Sequence, residues 1–366
     1  MSKSKEKLFT DFPPVSTEEW MERVTTDLKG ADFERRLVWR TNEGFNLNPF
    51  YRNEDIENLD WKDSLPGEYP YVRGTKTDNS WYVRQNIDVK DFYEANKKAL
   101  LLLEKKGVTS LGFTLPSNGL TAENIAALLK DIQPELVELN FQTCINSTLK
   151  LTKLLVDYIT GLGVDVMKCY GSIEHDPFRK VFKLGRDAPE WKNDAVAIVK
   201  ASAPLPRYRV ISIIGDQFAD AGAYLFQELG YSLAYGNQIL STLIEEGVDP
   251  TMAAKKIKFN LGVGTNYFME IAKFRAARWL WAEIVNAYKG KCPHECDNHA
   301  EDGTCQCASK INVHAVTSNF NTTVYDAYVN LLRTQTEAMS ATLGGVDSLT
   351  VRPFNHAYQS ATDFTN

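Results

Sequence analysis

Long apolar runs are missing from this sequence. Nothing approaches the roughly 18 consecutive apolar residues that span a bilayer, and the charged opening Met1-Ser-Lys-Ser-Lys-Glu-Lys is followed by no apolar stretch of signal-peptide length. These absences argue for a cytoplasmic chain that does not engage a membrane. Cysteine is scarce, six in 366 residues, too few for a disulfide scaffold. Positive charge is in deficit: 41 Lys plus Arg against 47 Asp plus Glu leaves −6, which argues against a nucleic-acid surface as the main business of the chain. Histidines number only five, no Gly-rich phosphate loop carries a lysine, and no Ser/His/Asp or Cys/His order stands out. What is present is ordinary globular composition, 43% hydrophobic and 24% charged. At roughly 150 residues per domain there is room for one large or two ordinary domains.

Residues 1–80 read as an N-terminal arm. Ser16-x-x-Glu19 is a capping box ahead of a helix from about Thr17 to Leu28, stopped by Gly30. The text from Ala31 to Ser80 is irregular and too polar to bury a core alone, so the arm is expected to wrap on another surface, with Trp20, Trp39 and Trp61 as candidate anchors. From residue 81 short β-branched runs alternate with helical patterns. The strand candidates are Trp81–Ile87, Ser110–Leu115, Glu138–Cys144, Asp165–Gly171, Arg209–Gly215, Lys256–Val263, Ile311–Ser318 and Ser348–Phe354. Between them lie helices such as the one presenting Phe92, Ala95, Ala99, Leu102 and Leu103 on one face, and the one that Thr121 caps. Repeated strand-then-helix units imply a parallel sheet, and eight of them predict an α/β fold of the (β/α)8 TIM-barrel type over 81–366, an open doubly wound sheet being the competitor. The text reaches Asn366 just past the eighth strand, so the last barrel helix is expected to be truncated, with Thr362-Asp363-Phe364 as its beginning.

Several motifs promise chemistry. Gly262-Val263-Gly264-Thr265-Asn266-Tyr267 imitates a dinucleotide turn but has Tyr267 at the third glycine, so it reads more simply as the turn above a barrel strand. Asp297 to Gly303 imitates the Asp-x-His-x-x-Gly signature of corrin-binding domains with one residue too many and no βαβ context. The insertion 291–308 holds Cys292, His294, Cys296, His299, Cys305 and Cys307; thiolates with imidazoles are the ligand set for tetrahedral zinc. A bound metal, a reduced loop and a disulfide pair all fit that spacing. Cys144 and Cys169 sit in apolar runs, where packing is the ordinary reading. His175 precedes an Asp-Pro turn, His314 lies inside a strand and His356 follows the last one; for a strand histidine a backbone-carbonyl partner is a commoner role than that of a catalytic base.

Two blocks go further. Ile211-Ser212-Ile213-Ile214-Gly215-Asp216-Gln217-Phe218-Ala219-Asp220-Ala221-Gly222-Ala223, with Glu228-Leu229-x-Tyr231-x-Leu233-Ala234-x-Gly236 after it, resembles the strand-to-helix block of methylmalonyl-CoA mutases. So does Glu270-Ile271-Ala272-Lys273-Phe274-Arg275-Ala276-Ala277-Arg278-x-Leu280-Trp281, and supporting pieces include Phe12-Pro13-Pro14, Trp81-x-x-Arg84-Gln85 and Leu343-Gly344-Gly345-x-Asp347-Ser348-Leu349. The resemblance implies a barrel that holds acyl-CoA along its axis, under a separate C-terminal domain carrying adenosylcobalamin. Its activity interconverts succinyl-CoA and (R)-methylmalonyl-CoA.

Departures from the family pattern matter as much. Asp216 and Gln217 occupy the positions where catalytic members carry Tyr-His, and Gly264 stands at that of a second His. Arg73-Gly74 is followed by a shortened loop without the substrate-stacking Tyr. On the period-two face where catalytic members carry three serines, this chain has Val210, Ser212 and Ile214, which predicts a filled lumen. The resemblance therefore implies the small, non-catalytic member of a heterodimer: no catalytic residue is expected, and substrate contacts are confined to Arg73 and Gln217 should the barrel be open. A large catalytic partner chain would hold acyl-CoA and adenosylcobalamin, and a zinc ion is the candidate metal for Cys292, Cys296, Cys305 and Cys307. The alternative is a catalytic acyl-CoA mutase chain with an altered substrate and a separately encoded cobalamin-binding subunit. A lone barrel that binds metal through its cysteine loop is a third.

Overall fold

The computed structural model describes residues 10–59, 61–185, 190–291, 299–362 and 364–365. It divides into two compact units, Met1–Lys62 and Asp63–Asn366. In the first, the expected helix forms over Thr17–Asp27, with Ser16 Oγ accepting the Glu19 N–H at 3.2 Å. Arg52 donates to Thr17 Oγ1 at 3.0 Å, and the Trp20 and Phe50 rings pack with centroids 3.9 Å apart. A two-residue antiparallel ladder pairs Trp39–Arg40 with Asn46–Leu47, and Trp39 remains half-exposed.

The second unit is a parallel barrel. Its strands are β1 (Tyr82–Asp88), β2 (Ser110–Thr114), β3 (Glu138–Gln142), β4 (Gly171–Glu174), β5 in two halves (Tyr208–Arg209 and Ile211–Ile214), β6 (Ile257–Val263), β7 (Val313–Thr317) and β8 (Ser348–Thr350). Each pairs in parallel with its sequence neighbour, and β8 pairs with β1. The first half of β5 pairs with β4, the second with β6, so β5 itself joins the two ends of the sheet. The Val210 and Ile211 N–H groups both donate to the Lys256 carbonyl, the mark of a bulge at Val210.

That bulge alters the expected lumen. Strict alternation would put 210, 212 and 214 on one face, but the extra residue shifts the phase. Arg209 lies opposite Ser172 and Ser212 opposite Lys258, while Val210 joins the apolar layer between sheet and helices. The fourth strand also sits later than the expected Asp165–Gly171. Asp165 starts a turn instead, its carboxylate accepting the Met167 N–H and its carbonyl the Lys168 N–H, and Gly171 opens the strand. A Cβ on Gly171 would come within 2.0 Å of the Leu139 carbonyl oxygen and 2.7 Å of the Tyr208 ring, so the strand can start there only with glycine. Cys169 is buried as expected; Cys144, just past the end of β3, is exposed.

Helices cover the outer faces of most strands. The outward Leu111 of β2 and Leu139 of β3 are 0% and 1% exposed. Phe259 of β6 meets Trp281 of the helix Tyr267–Ala287 edge to face, centroids 4.8 Å apart. The seam between β8 and β1 differs: among the described residues no helix follows β8, and the outward Val83 of β1 is 44% exposed. No helix of the described residues is long and apolar enough to cross a membrane.

Candidate functional site

In a parallel barrel the inward side chains of alternate positions fill the axis. Here they are polar. Lys258 Nζ lies 3.0 Å from Asn140 Oδ1, 3.4 Å from Ser172 Oγ and 3.9 Å from Glu138 Oε1. Glu138 accepts from Ser110 Oγ at 2.5 Å and from Asn140 Nδ2 at 3.1 Å, and Ser172 donates to Asn140 Oδ1 at 2.6 Å. All of these side chains are buried. Burial lowers the Lys258 pKa to about 8, with Glu138 opposing. Burial also works to raise that of Glu138, yet Lys258 and Arg84 together hold it below the usual carboxylate value. Both therefore stay charged at neutral pH. His314, beside this layer, is held neutral by burial and by the neighbouring Arg84 and Lys258; its Nδ1 lies 2.8 Å from Ser348 Oγ.

This layer separates two cavities that share no lining residue. The upper one, about 450 Å³, opens at the carboxyl ends of the strands, where barrels of this type place their chemistry. Its walls carry Arg84, Asn86, Glu174, Asp176, Ile214, Asp216, His314, Arg352 and His356. Two ion pairs stand in its wall, and Arg84, Asp88 and Asp176 join none among the described residues. Arg352 lies 3.6 Å from Asp216 and 3.4 Å from Asp220, Arg179 lies 3.4 Å from Glu174, and Gln142 donates to Glu174 at 2.8 Å. The lower cavity, about 470 Å³, opens at the amino ends and is walled by Lys76, Arg207, Arg209, Lys255 and Lys310, with Trp81, Tyr82 and Tyr170, against the carboxylates of Glu138 and Asp347. Asp347 accepts the Val313 N–H at 2.8 Å and faces Lys76 at 3.9 Å, while burial raises its pKa.

The residues singled out from the sequence are dispersed. Asp216 reaches the upper cavity wall. Gln217, one residue into the short helix Asp216–Asp220, does not line it, and its Nε2 is buried without a hydrogen-bond partner among the described residues. Arg73 is exposed and lines neither cavity. Gly264 donates its N–H to Glu270 at 2.7 Å. Cys305 and Cys307 place their sulfurs 2.9 Å apart, whereas Cys292 and Cys296 lie outside the described residues. Among the described residues no cluster of three or more His, Cys, Asp or Glu is arranged to hold a metal ion.

The family-like blocks turn out to carry buried charge with structural partners. Lys273 bridges Glu228 and Glu270, 2.7 Å from each, and donates to the Gly262 carbonyl; Glu228 in turn accepts the Gly262 N–H at 2.6 Å. Arg278 donates to the carbonyls of Tyr71, Val72, Gly344 and Gly345. These contacts fix the turn above β6 and the turn before β8. The lumen layer was missed in the sequence, although Glu138-x-Asn140-x-Gln142 and Lys258-x-Asn260 display it as polar residues alternating within otherwise apolar strands.

Comparison with known proteins agrees with these blocks. The family model for methylmalonyl-CoA mutase matches residues 40–119 and 119–366. A methylmalonyl-CoA mutase small subunit of Porphyromonas gingivalis is 51% identical over all of this chain and 57% of its own length. The large subunit of the same organism is 29% identical over 93% of this chain and 51% of its own, and a small subunit of Streptomyces virginiae is 29% identical over 95% and 55%. The chain thus spans about half the length of the curated relatives it matches. It belongs to the methylmalonyl-CoA mutase family.

Proposed function

We propose that this chain is the non-catalytic subunit of a heterodimeric methylmalonyl-CoA mutase, giving structural support to a large subunit that binds acyl-CoA and performs the isomerisation. The observation that carries this reading is the charged layer across the lumen. An acyl-CoA threaded along the axis would have to displace Lys258 and leave Glu138 buried without its ammonium partner, a loss of roughly 3–5 kcal/mol for such pairs. At the upper mouth, Asp216 brings a negative charge held by Arg352 rather than a neutral donor for a thioester carbonyl. Relatives named as small and large subunits in one organism support the pairing. Adenosylcobalamin, when bound, supplies the organic radical of this chemistry. An upper cavity of about 450 Å³ does not enclose a corrin ring with its nucleotide arm, so we assign that cofactor to the partner.

The test has two arms. Coexpression with the large subunit should yield a one-to-one complex. Titration of this chain alone with succinyl-CoA should give no saturable heat; a micromolar site would overturn the blocked-lumen reading and favour a catalytic chain with a changed substrate.

A further inference from the structure

We infer that the lower cavity binds a small organic polycarboxylate, a compact carbon skeleton carrying two or three carboxylates. Three cations reach its wall from consecutive strands: Arg207 just ahead of β5, Lys255 ahead of β6 and Lys310 ahead of β7. Neighbouring strands stand roughly 4.8 Å apart, so the three charges spread over an arc of about 10 Å. Among the described residues none of the three joins an ion pair. The two carboxylates of the cavity are committed elsewhere. Glu138 accepts from Ser110 and Asn140 and opposes Lys258 in the lumen layer, while Asp347 accepts the Val313 N–H and faces Lys76.

Two of the three cations rest on aromatic rings. The Arg207 guanidinium lies 5.7 Å from the Tyr170 ring centroid, and the Lys310 ammonium 5.3 Å from that of Tyr71. A ring face positions a cation without neutralising it, and leaves N–H donors for an anion. Trp81 and Tyr82 add apolar surface to the same cavity, Trp81 being 41% exposed. Separated cations beside apolar surface suit carboxylates spread over a carbon body, with the charged ends on the arc and the skeleton against the rings. A phosphate concentrates its charge on one centre and favours converging backbone N–H groups, as in a glycine-rich loop or at a helix start. The residues lining this cavity include one glycine, Gly171, and begin no α-helix. A volume of about 470 Å³ holds a ligand of this size, and the site lies below the lumen layer, outside any route along the axis.

The probe is trimesate, a benzene ring bearing three carboxylates, titrated calorimetrically into the full chain at low ionic strength. Saturable one-to-one binding is expected, weakening as salt is raised. Inorganic pyrophosphate should bind more weakly by on the order of tenfold, since it offers nothing to the apolar wall. Lys255→Gln and Lys310→Gln should each weaken trimesate binding by on the order of tenfold, the scale of one charge-assisted hydrogen bond. Acetic anhydride labelling read by peptide mass spectrometry locates the probe: Lys255 and Lys310 should be shielded at saturation, and the exposed Lys153 should not. Absence of saturable binding would sink the proposal, as would binding that leaves both lysines unshielded. Pyrophosphate binding as tightly as trimesate would overturn the assignment to carboxylates. The wild-type titration and labelling decide the matter even if a variant fails to fold. None of these outcomes bears on whether the chain copurifies with a large subunit, so this site and that pairing can fail separately.

Discussion

The two mouths of the barrel are cut from the same eight strands but solve the problem of charge differently. At the carboxyl ends, Asp216, Asp220 and Glu174 each meet an arginine, while Arg84, Asp88 and Asp176 of the upper cavity wall join no ion pair among the described residues. At the amino ends, five lysines and arginines face two carboxylates, and most of that charge is left to solvent and solutes. The difference teaches that one barrel can hold two separate electrostatic environments, a mouth with two ion pairs in its wall and a mouth with more cations than carboxylates. The layer of Lys258, Glu138 and Asn140 keeps these two environments apart.

The comparison can be broken most directly at that layer. Lys258→Ala should destabilise the chain by about 3–5 kcal/mol in urea unfolding, because Glu138 would stay buried without its ammonium; a loss below about 1 kcal/mol would make the layer mere filler. A second substitution sharpens the account of the upper mouth. Burial pushes the Asp176 carboxyl up to about 6, against the hydrogen bond it accepts from Tyr235 Oη. A folded-state pKa above the unfolded value gives stability that is complete below about pH 4 and lost as pH rises through about 6. Asp176→Asn should therefore gain about 1–2 kcal/mol at pH 8, with the gain shrinking toward pH 5, as read by urea midpoints at the two pH values. The smallest effect belongs to the lower mouth. Lys255→Ala should change stability by less than about 0.5 kcal/mol in the same assay, since a surplus cation has no structural partner to lose.

Much of the architecture is legible in the sequence. Seven of the eight strands lie within or across their expected segments, since each is a short β-branched run between helical patterns. The fourth was displaced because Val164, Val166 and Cys169 look like a strand but pack from a turn that Asp165 organises. The filled lumen was expected, yet its material was not. Val210 and Ile214 were read as the obstruction, and a bulge that no glycine or proline announces turned Val210 away. The actual obstruction is written as alternating polar residues, a pattern that on an ordinary sheet means a water-facing side and only inside a closed barrel means an axis. Asp216 was legible as a departure from the family pattern. Its partner Arg352 was not, because it comes from the turn after the last strand and local text carries no trace of the pairing.

The hydrogen bonds that bar the lumen bind its members to one another as well as to the barrel. Lys258 without Glu138 would lose the carboxylate that opposes its desolvation, Glu138 without Lys258 would keep Arg84 as its neighbouring cation, and Asn140 serves both. The seal thus works as a unit: because these side chains share their partners, opening a passage along the axis would require several coordinated exchanges rather than one.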